Sequence, residues 1–174
     1  MQIRETTIED AENIQDVYLQ AFDSSEAHKV SELAIKLLKQ DHPVKTISLV
    51  AIENQVIVGH VAFSPVFLAN TGNHFGYILA PLAVAPGFQQ NGIGSSLVRH
   101  GLEILSNSGS FMVFVYGDPA YYSRFGFSSA LARDFIAPYP LEYPEGWHAL
   151  RLNSAAFPGG KITCVDSLND PALW

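Results

Sequence analysis

An apolar run from Phe75 to Pro86 ends in a tight glycine pair and passes directly into an amphipathic stretch: "FGYILAPLAVAPGFQQNGIGSSLV". A strand this apolar is expected near the centre of a sheet, with both faces covered. The glycines Gly92 and Gly94 stand where strand becomes helix. Without Cβ atoms, consecutive N–H groups there can converge on an anion, and the helix dipole favours negative charge at the same point. A chain with this junction is expected to form a strand–turn–helix unit; the plainer alternative is a turn whose glycines only permit φ > 0. Pro81 lies inside the strand and cannot donate to a ladder, so the strand is expected to bulge or splay there.

The surrounding segments supply the rest of an α/β pattern. "MQIRE" starts a strand. Thr6 with Glu9, or Thr7 with Asp10, is a capping-box arrangement opening a helix. Its buried stripe is read as Ile8, Ala11, Ile14, Val17, Tyr18, Ala21 and Phe22. A second helix covers roughly 25–39, and Pro43 closes that unit. Two β-branched runs around Glu53, Asn54 and Gln55 predict a hairpin. After the glycines a helix runs to about Ser106, with Ile93, Leu97, Gly101 and Leu105 inward. "FMVFVYG" is a further buried strand, "PAYYSRFGF" a short helical piece, and "WHALRL" and "KITCV" are candidate strands.

Composition narrows the function classes. Net charge is −7 with only 10 Lys and Arg spread over 174 residues, which argues against a duplex-binding surface. The single Cys164 leaves no internal disulfide and no Cys-rich metal site, and no H-x-x-x-H spacing occurs, so no metal is assigned. No apolar run reaches membrane-spanning length and the N-terminus has no signal-peptide core, so a cytoplasmic protein with no membrane partner is expected.

Two familiar glycine motifs fail. The dinucleotide fingerprint requires a third glycine where Leu97 stands, and a P-loop requires a lysine after Gly94. The order strand, V-x-P, then Q-x-x-G-x-G and helix, read here as "LAVAPGFQQNGIGSSLV", resembles the acyl-CoA-binding motif of the GNAT superfamily of N-acetyltransferases. Gln89 opens the motif core, and Gln90 and Asn91 stand where relatives often carry Lys or Arg. "GDPAYYSRFGF" resembles a bacterial subgroup of predicted acetyltransferases in that superfamily.

The resemblance implies a mixed, mostly antiparallel sheet flanked by helices and splayed at the acyl-CoA strand. It covers residues 3–150, with 151–174 as a C-terminal extension packed on the same domain. It implies acetyl transfer from acetyl-CoA to a primary amine by direct attack in a ternary complex. The implied acyl-CoA contacts are Leu82, Ala83 and Val84 on the strand and Gln89, Gln90, Asn91, Gly92, Ile93, Gly94 and Ser95 in the turn. Tyr122, four residues before Gly126, matches the position of the family's general acid. The strand segment "NHFGYILAPLAV" has no carboxylate to serve as base, so His60, at i and i+4 with Ser64, is the candidate, with His74 and the loop around it second and a water chain with no dedicated base as the remaining alternative. Asp23 and Glu26 are read as a loop between the first two helices, which lines the acceptor site in this superfamily, so that carboxylates there would hold a cationic amine; the alternative for both is helix capping and solvation. His28, His42, His100 and His148 are read as surface or packing residues. The alternative from another class is a non-catalytic acyl-CoA-binding sensor or partner-binding module.

Overall fold

The computed structural model describes residues 1–174 and contains two compact units. The first is formed by 1–63 and 80–103, the second by 64–79 and 104–174. Strands β3 (Val56–Leu68) and β4 (His74–Val84) and helix α3 (Ile93–Asn107) each contribute to both.

In the first unit the strands pair in the order β1 (Gln2–Glu5), β2 (Ile47–Glu53), β3, β4. β1 to β2 and β2 to β3 are antiparallel. The β2–β3 turn places Asn54 and Gln55 at φ +49° and +67°, the pair of left-handed residues that a two-residue hairpin loop requires. Helices α1 (Ala11–Ala21) and α2 (Ser24–Lys39) cover this unit. Their stripes meet the sheet through Ile14, Val17, Tyr18 and Ala34, packed with Val50 and Ala83. Each fully buried large apolar side chain contributes about 1.5–3 kcal/mol, so this cluster, rather than helix propensity, holds both helices. Ile8 departs from the expected stripe. It sits in a 3-10 turn (Ile8–Asp10) ahead of α1 and is 56% exposed, because three residues per turn rotate it off the helix's buried face.

α3 lies close on β3 because Gly101 has no side chain: a Cβ there would run into the Phe63 ring. Ile93, Leu97 and Val98 are buried on the same helix.

In the second unit the order is β3, β4, β5 (Met112–Tyr116), β7 (Trp147–Arg151). β4 and β5 are parallel, β5 and β7 antiparallel. Short helices α4 (Pro119–Tyr122) and α5 (Ser129–Ala132) follow β5. Strands β6 (Phe135–Ile136) and β8 (Gly160–Cys164) were not both legible in sequence; β8 pairs with β6 and with Val66–Leu68 of β3. The stretch that begins at Trp147 thus supplies two strands, β7 and β8, to this unit. Its core is aromatic: Phe114 stacks on Trp147 with centroids 5.2 Å apart, and Phe75 on Phe135 at 5.6 Å. The architecture is an open, mostly antiparallel sheet with helices on it. No helix is long and apolar enough to cross a membrane.

Candidate functional site

The glycine turn is built by the end of β4. Ala85 N–H donates to the carbonyl of Val58 at 2.9 Å, the chain bends through a 3-10 turn over Pro86–Phe88, and Phe88 N–H donates back to Ala85. Gln89 Nε2 donates to the Val84 carbonyl at 2.9 Å, so this side chain braces the turn against the strand. Asn91 Nδ2 reaches the Phe88 carbonyl at 3.4 Å. Gln90 and Gly92 adopt φ +63° and +79°.

Helix α3 begins at Ile93, and Ser96 N–H donates to Gly92 O at 2.9 Å. The N–H groups of Gly92, Ile93, Gly94 and Ser95 therefore have no acceptor within the helix. Gln89, Gln90, Asn91 and Gly92 are exposed, and a Cβ built on Gly92 meets nothing within 4 Å. Glycine is required here by φ and not by crowding. The result is an open cluster of unsatisfied donors at the positive end of a 15-residue helix, suited to an anion. On β4 itself Ala83 is buried in the first unit's core, while Leu82 and Val84 are half-buried.

The β4–β5 ladder runs from Gly76–Met112 to Leu79–Val115 and ends there, two residues before Pro81, whose peptide bond with Ala80 is cis. Pro81 has no N–H for a ladder.

Tyr122 closes α4. Asp118 caps this helix by accepting from Ala120 N–H at 2.9 Å, and Pro119 occupies its first turn. The Tyr122 ring meets Tyr121 edge-on at 5.0 Å and Phe127 at 5.9 Å. Burial first, then the neighbouring Tyr121 and Asp118, pushes its phenol well above the ordinary tyrosine range. It stays protonated at neutral pH, the state a proton donor needs.

A family model described as "Acetyltransferase (GNAT) family" matches residues 10–127, more than half the chain, spanning the turn and Tyr122. The chain belongs to the acetyltransferase (GNAT) family. It is an acyltransferase by that membership. It is 34% identical over 169 residues to the uncharacterized N-acetyltransferase YjhQ of Escherichia coli (strain K12), covering 94% of this chain and 92% of that protein. The crystal structure of the GNAT family N-acetyltransferase YhbS from Escherichia coli, in complex with CoA, superposes with a TM-score of 0.82 at 28% identity, covering 97% of this chain and 92% of that one. A GNAT family acetyltransferase from Brucella melitensis in complex with acetyl-CoA superposes with a TM-score of 0.70 at 29% identity, covering 95% and 96%.

Within this acetyltransferase the structure does not place His60 as a base. His60 is fully buried, its Nδ1 lies 2.8 Å from the Tyr18 hydroxyl and its Nε2 2.8 Å from Ser48 Oγ. Burial pushes the imidazole down to about 3, with the Asp10 charge opposing. Both nitrogens are occupied, so His60 is a neutral brace joining α1, β2 and β3. His74 lies between the rings of Phe67 and Tyr77, at 5.7 and 5.1 Å.

Asp23 and Glu26 need a correction of a different kind. α1 and α2 are joined so tightly that Asp23 is the residue before α2, and Glu26 is in its first turn rather than in a loop. Both are exposed, and the Asp23 carboxylate caps nothing. Cys164 ends β8, and burial raises its thiol to about 12, leaving no thiolate for chemistry. No group of three or more His, Cys, Asp or Glu is arranged to hold a metal ion.

Sequence reading missed Tyr18 and Ser48 as the partners of His60, since 42 and 12 residues separate them. His148, read from the sequence as a surface or packing residue, is buried on β7. That side chain is 7% exposed, and its Nδ1 has no hydrogen-bond partner in the protein.

Proposed function

We propose that this acetyltransferase transfers an acetyl group from acetyl-CoA to a primary amine by direct attack in a ternary complex. The observation that carries the reading is the glycine turn: four helix-start N–H groups left open beside exposed Gln90, Asn91 and Gly92 suit the pyrophosphate of an acyl-CoA. Structures of two relatives above 25% identity hold CoA and acetyl-CoA.

Three tasks follow from the chemistry. The amine must lose a proton, because an ammonium with an ordinary pKa near 10 has no lone pair. The tetrahedral oxyanion needs a fixed donor, and the Leu82 N–H is the one proposed. The departing thiolate needs a proton, which Tyr122 supplies. Asp23 and Glu26, exposed at the start of α2, are proposed to attract the cationic acceptor. Acetyl-CoA is consumed as co-substrate, and no enzyme nucleophile is required.

A second reading, a CoA-binding sensor without turnover, is favoured by one feature: β4 (His74–Val84) carries no Asp or Glu, and His60 is occupied. One experiment separates the two. Acetyl-CoA at 100 times its dissociation constant should add about 2.7 kcal/mol, or roughly 5–10 °C in Tm, with NAD giving no shift. The same protein is then assayed for CoA release on a panel of a polyamine, an aminoglycoside, an amino acid and a peptide amino terminus. A shift with turnover supports the enzyme, a shift without turnover the sensor, and no shift overturns both.

A further inference from the structure

A cavity of about 310 Å³ opens in the first unit, between the last turn of α2, the loop after it and the first strands of the sheet. At roughly 30 Å³ per water it has room for about ten waters, the lower end of the range for small-ligand sites. Leu37 and Leu38, at the end of α2, give it an apolar wall. Thr6 and Ser48 give it hydroxyl residues, held together by the Thr6 N–H donating to Ser48 O at 3.0 Å. Charged residues of both signs also line it, Glu5 and Asp41 against Lys45. None of these three forms an ion pair within the protein, although Asp41 and Lys45 are only four residues apart on one loop. The carbonyls of the last turn of α2 have no partner inside the helix and carry the negative end of its dipole. No residue of the glycine turn or of the Tyr122 segment lines this space, and neither Asp23 nor Glu26 does.

Opposite charges left apart around one small space are complementary to a molecule that carries both. We propose that this cavity is a second ligand site, for a small free amino acid with an apolar side chain. The ammonium is matched by Asp41, Glu5 and the carbonyl end of α2, and the carboxylate by Lys45 and the hydroxyl residues. Leu37 and Leu38 take the hydrocarbon. A diamine has no carboxylate for Lys45, and a phosphate would meet two carboxylates with a single lysine. Binding here bears on the brace already described, because Ser48 both lines the cavity and holds His60 Nε2 at 2.8 Å. Through His60 and Tyr18 that brace reaches α1.

The test is titration calorimetry of the whole protein without acetyl-CoA, so its outcome is independent of the acetyl-transfer reading. The probes are L-leucine, L-leucine methyl ester, which lacks the carboxylate, and 4-methylpentanoate, which lacks the ammonium. L-leucine should bind at one site, and each of the other two about tenfold or more weaker, the loss of one charged hydrogen bond. Lys45→Gln should weaken L-leucine about tenfold and leave the ester within about twofold, while Asp41→Asn should weaken L-leucine and leave 4-methylpentanoate within about twofold. Lys45 and Asp41 are both exposed, so neither variant disturbs the core. No heat from L-leucine up to about 10 mM overturns the inference. So does wild-type affinity in both variants, and so does loss of L-leucine binding in the double variant Asp23→Asn with Glu26→Gln while Lys45→Gln keeps it, which would place the amino acid at the acceptor site instead.

Discussion

The Tyr18 hydroxyl lies 2.8 Å from Nδ1 of His60, tying α1 to β3 through a bond with no exposed atom on the histidine. Ser48 holds the other nitrogen. Removing one partner would leave a buried polar atom unsatisfied. Tyr18→Phe should therefore cost about 1–3 kcal/mol, read as a lower urea midpoint at unchanged m-value. A change below a few tenths of a kcal/mol would show that the network contributes nothing net.

The same histidine makes stability pH-dependent. Its folded pKa, about 3, lies below the unfolded 6.5, so the unfolded state binds more protons between those values. Stability is complete above the unfolded value and falls as pH drops through the window, by up to about 1.4 kcal/mol per pH unit. Asp10 acts in the same direction at lower pH. Its carboxylate, held below the usual range chiefly by Arg4 at 2.7 and 2.8 Å, contributes stability that is lost as it protonates. Urea midpoints from pH 7 to 5 should fall for wild type and flatten for His60→Gln. Equal slopes in the two proteins would remove His60 as the cause.

Gly92→Val separates turn geometry from crowding. The added side chain has open space, but φ +79° disfavours any β-branched residue by about 1–2 kcal/mol. Unliganded Tm should drop by a few degrees while the acetyl-CoA shift disappears. Calorimetric acetyl-CoA binding at wild-type affinity would mean that the glycine only shapes a turn.

Gly101 is the opposite case, since a Cβ there runs into the Phe63 ring. Gly101→Ala should destabilise by about 1–3 kcal/mol through overpacking. The double variant with Phe63→Leu should recover part of that loss in thermal melts, and simple additivity of the two changes would argue against direct contact.

Tyr122→Phe should keep acetyl-CoA affinity and lose about 10²–10⁴-fold in kcat. Because burial, Tyr121 and Asp118 all raise its pKa, the wild-type alkaline limb should not fall at the ordinary tyrosine value near 10. A variant matching wild type at every pH would remove Tyr122 as the acid.

The regular elements were legible because their signals are local. Thr7 and Asp10 form the capping box of the 3-10 turn that leads into α1, Asn54 and Gln55 turn the hairpin, and Gly92 and Gly94 mark the strand-to-helix junction. Each depends on neighbours within a few residues, where backbone sterics and spacing act without the rest of the fold. Ile8 misled because helical periodicity does not distinguish a 3-10 turn from the first turn of an α-helix.

The sequence by itself thus determined the glycine turn, the helical stripes and the aromatic strand that precedes Tyr122. Only the tertiary structure decided what the histidines do. His60 had the residue type of a base, but α1 and β2 bring Tyr18 and Ser48 onto both its nitrogens and burial keeps it neutral. His148 had the look of a packing residue, but strand register puts it opposite Val115 with Nδ1 unpartnered. An imidazole's role depends on solvation and on the atoms facing it, and those are set by strands and helices that are distant in the chain.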